Sequence, residues 1–218
     1  MKKLIVIFTL ACLILTSAAA LGQEYKQALR YEIKGGLVSS YLSSNNYQDT
    51  GMGWGWTAGA GLFLPLFTKS FGAQIEAMYV SREATATIGS DTIEDLPSAR
   101  FDEYEFKSTW IEFPLMAQLA FTDDAEVRVY AMGGVAFSFN LTRKLSYVDD
   151  ATGQTVEEDL SESSSNTSDY DIAPLFGLGL RSNRFLVELR FNLGLKSQGE
   201  QDTDYKVNRN AFLIGFSF

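Results

Sequence analysis

Histidine is absent from all 218 residues, and cysteine occurs once, at Cys12. Without imidazole there is no histidine general base, nucleophile partner or metal ligand. Ser-His-Asp hydrolysis, Cys-His chemistry and ordinary zinc sites are therefore excluded. One cysteine excludes disulfides within the chain, iron–sulfur clusters and CxxC redox chemistry. Basic residues are scarce, with 18 Lys and Arg against 27 Asp and Glu, for a net charge of -9. That balance is the reverse of what nucleic acid requires. Beyond the N-terminus no apolar run approaches the roughly 18 residues of a transmembrane helix. Aromatic residues, by contrast, make up 13% of the chain, which argues against a disordered acidic protein.

Met1-Lys2-Lys3 leads into an apolar run from Leu4 to Leu15, followed by Thr16-Ser17-Ala18-Ala19-Ala20-Leu21-Gly22. A basic start, a short apolar run and a small-residue exit describe a cleaved secretory signal peptide, residues 1–22. Cleavage is expected after Ala20 or Gly22, leaving 23–218 as one mature domain. Cys12 sits inside the apolar run rather than at its end, so it reads as filler and not as a lipidation site.

The remainder alternates with period two, as strands with one apolar and one polar face do. Phe185, Val187, Leu189, Phe191, Leu193 and Leu195 oppose Leu186, Glu188, Arg190, Asn192, Gly194 and Lys196. The same pattern marks segments starting near Leu29, Trp54, Phe71, Ile111, Val127, Asp171 and Ala211, giving eight strands. Short connections (Pro65 to Ser70, Thr122 to Ala125, Ser182 to Arg184) alternate strictly with longer ones (Ser40 to Gly53, Ala84 to Glu103, Arg143 to Tyr170, Ser197 to Tyr205). An up-and-down meander then gathers tight turns at one end and long loops at the other, as outer-membrane barrels do. The expected fold is all-β: an eight-stranded antiparallel up-and-down transmembrane β-barrel, with both termini in the periplasm.

A soluble barrel would alternate equally well, with the faces reversed. Three features favour the membrane form. The apolar faces are long enough to cross a bilayer when tilted. The polar faces carry Glu76, Glu112, Arg128, Glu188 and Arg190 among glycine, alanine and serine. In the narrow lumen of eight strands these charges are expected to pair. Finally, the chain ends on Phe212, Ile214, Phe216 and Phe218 at alternate positions, similar to the C-terminal signal read by the barrel-assembly machinery. Pro114 and Pro174 fall within strands, where a local bulge, or for Pro174 a strand end, is expected.

Trp110-Ile111-Glu112-Phe113-Pro114-Leu115, Asp171 ahead of Gly177-Leu178-Gly179, and Glu188-Leu189-Arg190-Phe191 together resemble the PorT-like outer-membrane β-barrel proteins of Bacteroidetes. The resemblance covers Gln23 to Phe218. It implies an integral outer-membrane protein. PorT itself is an accessory of type IX secretion, and no motif here singles out that role.

Several features remain as candidates for chemistry. The lumen charges suit a proton relay, a gate or a catalytic pair, but a salt-bridge network filling the barrel is the stronger expectation, because eight strands leave no continuous pore. The connection 143–170 holds Asp149, Asp150, Glu157, Glu158, Asp159, Glu162 and Asp169. It lacks the EF-hand spacing and reads as a solvated, mobile loop. Most of Trp54, Trp56, Trp110, Tyr79, Tyr130 and Tyr170 are expected at the membrane interface. Gly59-Ala60-Gly61 and Gly177-Leu178-Gly179 read as small lumen-facing positions. Neither cofactor, metal nor enzymatic activity is expected. The expected partners are outer-membrane lipid, the assembly machinery and an extracellular or envelope protein met through acidic loops, with the barrel itself monomeric. The alternative is a narrow channel or secretion accessory.

Overall fold

Period-two alternation becomes ten antiparallel strands in the computed structural model, which describes residues 29–44, 49–50, 52–66, 70–87, 104–122, 126–149, 154–159, 170–194 and 205–218. The strands are β1 (Arg30–Ser44), β2 (Asp49–Thr50), β3 (Met52–Pro65), β4 (Phe71–Thr87), β5 (Tyr104–Ala120), β6 (Val127–Asp149), β7 (Gln154–Asp159), β8 (Tyr170–Ser182), β9 (Phe185–Asn192) and β10 (Tyr205–Ser217). Eight of them close a barrel in the order β1-β3-β4-β5-β6-β8-β9-β10, with β10 returning to β1. The short β2 pairs with the end of β4, and β7 with the end of β6. The expected signal peptide lies outside the described residues.

The stagger of the wall follows from its register. Opposed residues lead from Arg30 to Phe63, Gln74, Met116, Gly134, Leu175, Asn192 and Arg209, and back to β1 at Ser40. One circuit is therefore displaced by ten residues, from Arg30 to Ser40, the shear that tilts the strands around a closed barrel. Closure satisfies the backbone donors and acceptors along the wall and leaves no open sheet edge, a requirement for strands in hydrocarbon. The seam runs to the last residue, where the Phe218 amide donates to the Tyr31 carbonyl at 2.9 Å.

The faces divide by polarity. Leu178 is 57% exposed and Ile214 55%, while Glu188 and Gln74 are fully buried at 0%. Apolar residues point out and charged residues point in, the reverse of a soluble protein. A continuous exposed apolar belt of this kind is tolerated in lipid, not in water. No helix among the described residues is long and apolar enough to cross a membrane; strands do the crossing.

Several details differ from the sequence expectation. β4 runs on to Thr87, past the expected loop start at Ala84, and β6 continues to Asp149. The segment expected as loop from Arg143 to Tyr170 thus contains the upper part of β6 and a hairpin with β7, pairing Lys144 to Asp159 through Asp149 to Gln154. Pro114 produces no bulge. The β4–β5 register is the same on either side of it, from Ile75↔Leu115 to Met78↔Glu112, and only the intervening rungs are lost. That is the effect of one missing N–H donor. Pro174 sits inside β8, but its carbonyl accepts from the Leu193 amide just past the end of β9. Its missing donor falls where that ladder has already stopped. The real register shift lies at Thr109/Trp110 on β5, opposite Asn140 to Thr142 on β6.

At the turn end, β8 and β9 are joined by Asn183-Arg184 alone. Asn183 takes a φ of 51°, in the left-handed region that asparagine tolerates better than most residues.

Candidate functional site in the lumen

The inward faces of β1, β4, β6, β8 and β9 meet in the half of the lumen nearer the tight turns. Lys34 is the hub. Its ammonium nitrogen lies 2.9 Å from Glu32, 2.7 Å from Glu76 and 2.8 Å from Glu188. Arg190 contacts Glu76 at 2.5 and 2.8 Å and also pairs with Glu188. Arg181 donates to Glu32 at 2.6 Å. Tyr130 Oη donates to Glu188 at 2.8 Å, and the Gln74 amide donates to Glu76 at 2.6 Å and to Glu32 at 3.1 Å. Three carboxylates face three cations, so this layer is neutral. Removing ions from water costs several kcal/mol each, and only dense pairing of this kind offsets it.

Space for these long side chains comes from glycine. A Cβ on Gly61 would stand 2.9 Å from Glu76 Cγ, and one on Gly179 would fall on the Tyr130 ring. At the turn end Arg30 lies over Phe63, 3.9 Å from its ring centre.

An apolar layer follows, in which Val38, Met78, Val80, Trp110 and Leu213 pack together. A cavity of about 30 Å³ sits there, bordered by Arg190 below and by Glu112 and Arg209 above. Such a volume holds about one or two water molecules.

A second charged layer occupies the loop-end half. Glu112, Ser138 and Asp171 are opposed across β5, β6 and β8, forming one rung. Arg209 reaches them from β10, pairing with Glu112 and lying 3.8 Å from Asp171. Arg82 is buried beside them, 4.3 Å above the Trp110 ring.

Of the five charges singled out in the sequence, Glu76, Glu188 and Arg190 come together in the first layer, and Glu112 belongs to the second. Arg128 is elsewhere. It is half-buried near the turn end, opposite Arg181 and close to Arg30. Sequence reasoning missed Glu32, Lys34, Arg181, Asp171, Arg82 and Arg209 as members. Glu32, Lys34, Arg181 and Asp171 lie on expected strands, so counting every charge there finds them; Arg82 and Arg209 lie where β4 and β10 extend beyond the clear apolar alternation. Trp110 and Tyr130, grouped with interfacial aromatics, are instead buried at 1% and 0%. Trp54, Trp56, Tyr79 and Tyr170 are exposed, and Trp56 packs on Tyr79 with ring centres 5.2 Å apart. Phe212, Ile214 and Phe218 point outward, and Phe216 stacks edge-on against Phe185 and Phe218.

The lumen thus carries charged, apolar and charged layers in series. Among the described residues no group of three Asp, Glu, His or Cys is placed to hold a metal ion; the three carboxylates of the first layer close on the Lys34 ammonium instead.

A family model described as outer membrane protein beta-barrel domain matches residues 21–198. Among solved structures, the chain is similar to Ail, the attachment invasion locus protein of Yersinia pestis, in complex with the heparin analogue sucrose octasulfate. The identity is 12%, covering 88% of this chain and 100% of that one, with a TM-score of 0.48. OprG from Pseudomonas aeruginosa shows 14% identity over 88% of this chain and 96% of its own, with a TM-score of 0.45. Neisserial surface protein A shows 13% over 86% and 95%, with a TM-score of 0.40. No curated protein matches by sequence.

Proposed function

The chain belongs to the outer membrane protein β-barrel domain family and resides in the bacterial outer membrane, and from that premise we propose that it is a non-enzymatic, monomeric anchor whose working surface is its acidic extracellular loops. The carrying observation is the lumen filled by paired charges. A barrel closed inside has its outer connections left for contact with partners. Residues 143–170 hold seven carboxylates, and Glu157 on β7 is exposed. On this reading the tight turns and both termini face the periplasm, residues 1–22 are removed during export, and the chain is kin to the PorT-like barrels of Bacteroidetes. The lack of histidine supports the non-enzymatic role.

A second reading, a narrow channel or an accessory of type IX-like secretion, rests on the small cavity between the charge layers. Surface cross-linking on intact cells tests the first reading. A variant with residues 150–169 replaced by a short Gly/Ser turn is expected to keep its folded barrel and lose cross-linked protein adducts seen with the wild type. An unchanged adduct pattern would remove this loop from the account.

A further inference from the structure

Among the described residues, the loop-end half of the lumen carries more positive than negative charge. Arg82 and Arg209 are buried and Arg143 is half-buried, against buried Glu112 and Asp171. Arg209 pairs with Glu112 and lies 3.8 Å from Asp171, which also acts electrostatically on Arg82. The other two cations share a rung. Arg82 on β4 is opposite Ser108 on β5, and Ser108 is opposite Arg143 on β6. Directly opposed residues lie on one face, with Cβ atoms about 4.5–5.5 Å apart.

A β-bulge puts Arg143 there. Trp110 pairs with Asn140 and Thr109 with Thr142, so Leu141 is an extra residue. It shifts the alternation of β6 and re-aims Arg143 from the lipid side to the lumen, as bulges do. Next to it, the Arg82 guanidinium carbon lies over the Trp110 ring, 4.3 Å from its centre. Trp110 Nε1 donates to Ser108 Oγ at 2.9 Å, which leaves the serine O–H to donate elsewhere. Arg82 Nε and Nη2 and Arg143 Nη2 are buried without a hydrogen-bond partner. Idle buried guanidinium donors are costly, and their fork geometry matches oxyanions.

We propose that the Arg82–Ser108–Arg143 rung is a binding site for one small, exchangeable oxyanion of the phosphate class at the loop end of the lumen. Two guanidinium groups grip the anion from either side, and the serine hydroxyl donates between them. Sequence reading left Arg143 at a loop boundary and Arg82 unremarked. The site is independent of any loop-borne partner.

Equilibrium dialysis of the full barrel in non-ionic detergent, with radiolabelled inorganic phosphate at constant ionic strength in chloride, tests it. The wild type is expected to bind one phosphate per barrel saturably, with a urea midpoint that rises with phosphate concentration. Arg82→Gln and Arg143→Gln are each expected to weaken binding about tenfold or more. Arg184→Gln, at the opposite end, leaves binding intact. Heat-modifiable gel mobility verifies that each variant is folded. Should Arg82→Gln not fold, the half-buried Arg143→Gln and the small Ser108→Ala carry the test. Absence of saturable binding by the wild type, or wild-type affinity in the folded rung variants, overturns the proposal.

Discussion

Replacing Lys34 by methionine tests the hub of the inner network. The ammonium touches three carboxylates at 2.7, 2.8 and 2.9 Å. Without it, Glu32, Glu76 and Glu188 face only Arg181 and Arg190, and the buried layer carries one uncompensated negative charge. Removing one partner from a buried ion pair costs about 3–5 kcal/mol. Here each acid keeps another cation, Glu32 through Arg181 at 2.6 Å and Glu76 through Arg190 at 2.5 Å. The expected loss is therefore at the lower end, about 3 kcal/mol. Adding Glu188→Gln restores neutrality, so Lys34→Met/Glu188→Gln is expected to lose less than the two single variants combined, by about 1–3 kcal/mol. Urea unfolding in detergent micelles, followed by tryptophan fluorescence in both directions, measures each value. A Lys34→Met midpoint equal to the wild type, or strict additivity in the double variant, would refute the reasoning.

Gly179→Ala drives a Cβ onto the Tyr130 ring and displaces its hydrogen bond to Glu188, and is expected to cost about 1–3 kcal/mol in the same assay. Gly133→Ala is the control, since an outward Cβ there meets only the Leu175 carbonyl at 4.0 Å, and its midpoint is expected to stay at the wild-type value. Leu178→Arg places a charge on the lipid face, where Leu178 is 57% exposed; an expected loss of about 2–4 kcal/mol is read from unfolding in lipid vesicles. Phe218→Ala removes the last outward aromatic beside Phe216, and pulse-chase gel mobility is expected to show slower conversion to the folded barrel.

The strands were legible because lipid and lumen impose opposite polarity on alternate residues. Glu188 and Arg190 could be assigned to the lumen from parity alone. Axial height was not legible, because it depends on register between strands. Arg128 and Glu76 have the same inward parity, yet they stand at different levels of the barrel. Lys34 and Glu32 lay on the polar face of a weakly alternating strand, and their charges went uncounted. Arg209 precedes the clear apolar alternation that starts near Ala211, so it stayed outside the expected strand. The extra residue at Leu141 broke the parity of β6, and Arg143 therefore looked like the start of a loop. Pro114 pointed to a disturbance in the wall, but the bulge formed at Thr109/Trp110 instead, because losing a donor interrupts a ladder without inserting a residue.

Single-channel recording of the purified barrel in planar lipid bilayers tests the filled lumen most directly. The paired layers around Lys34 and Arg209, with apolar packing between them, predict no discrete current steps above the bare bilayer. Reproducible unitary openings from folded, heat-modifiable protein would contradict the account.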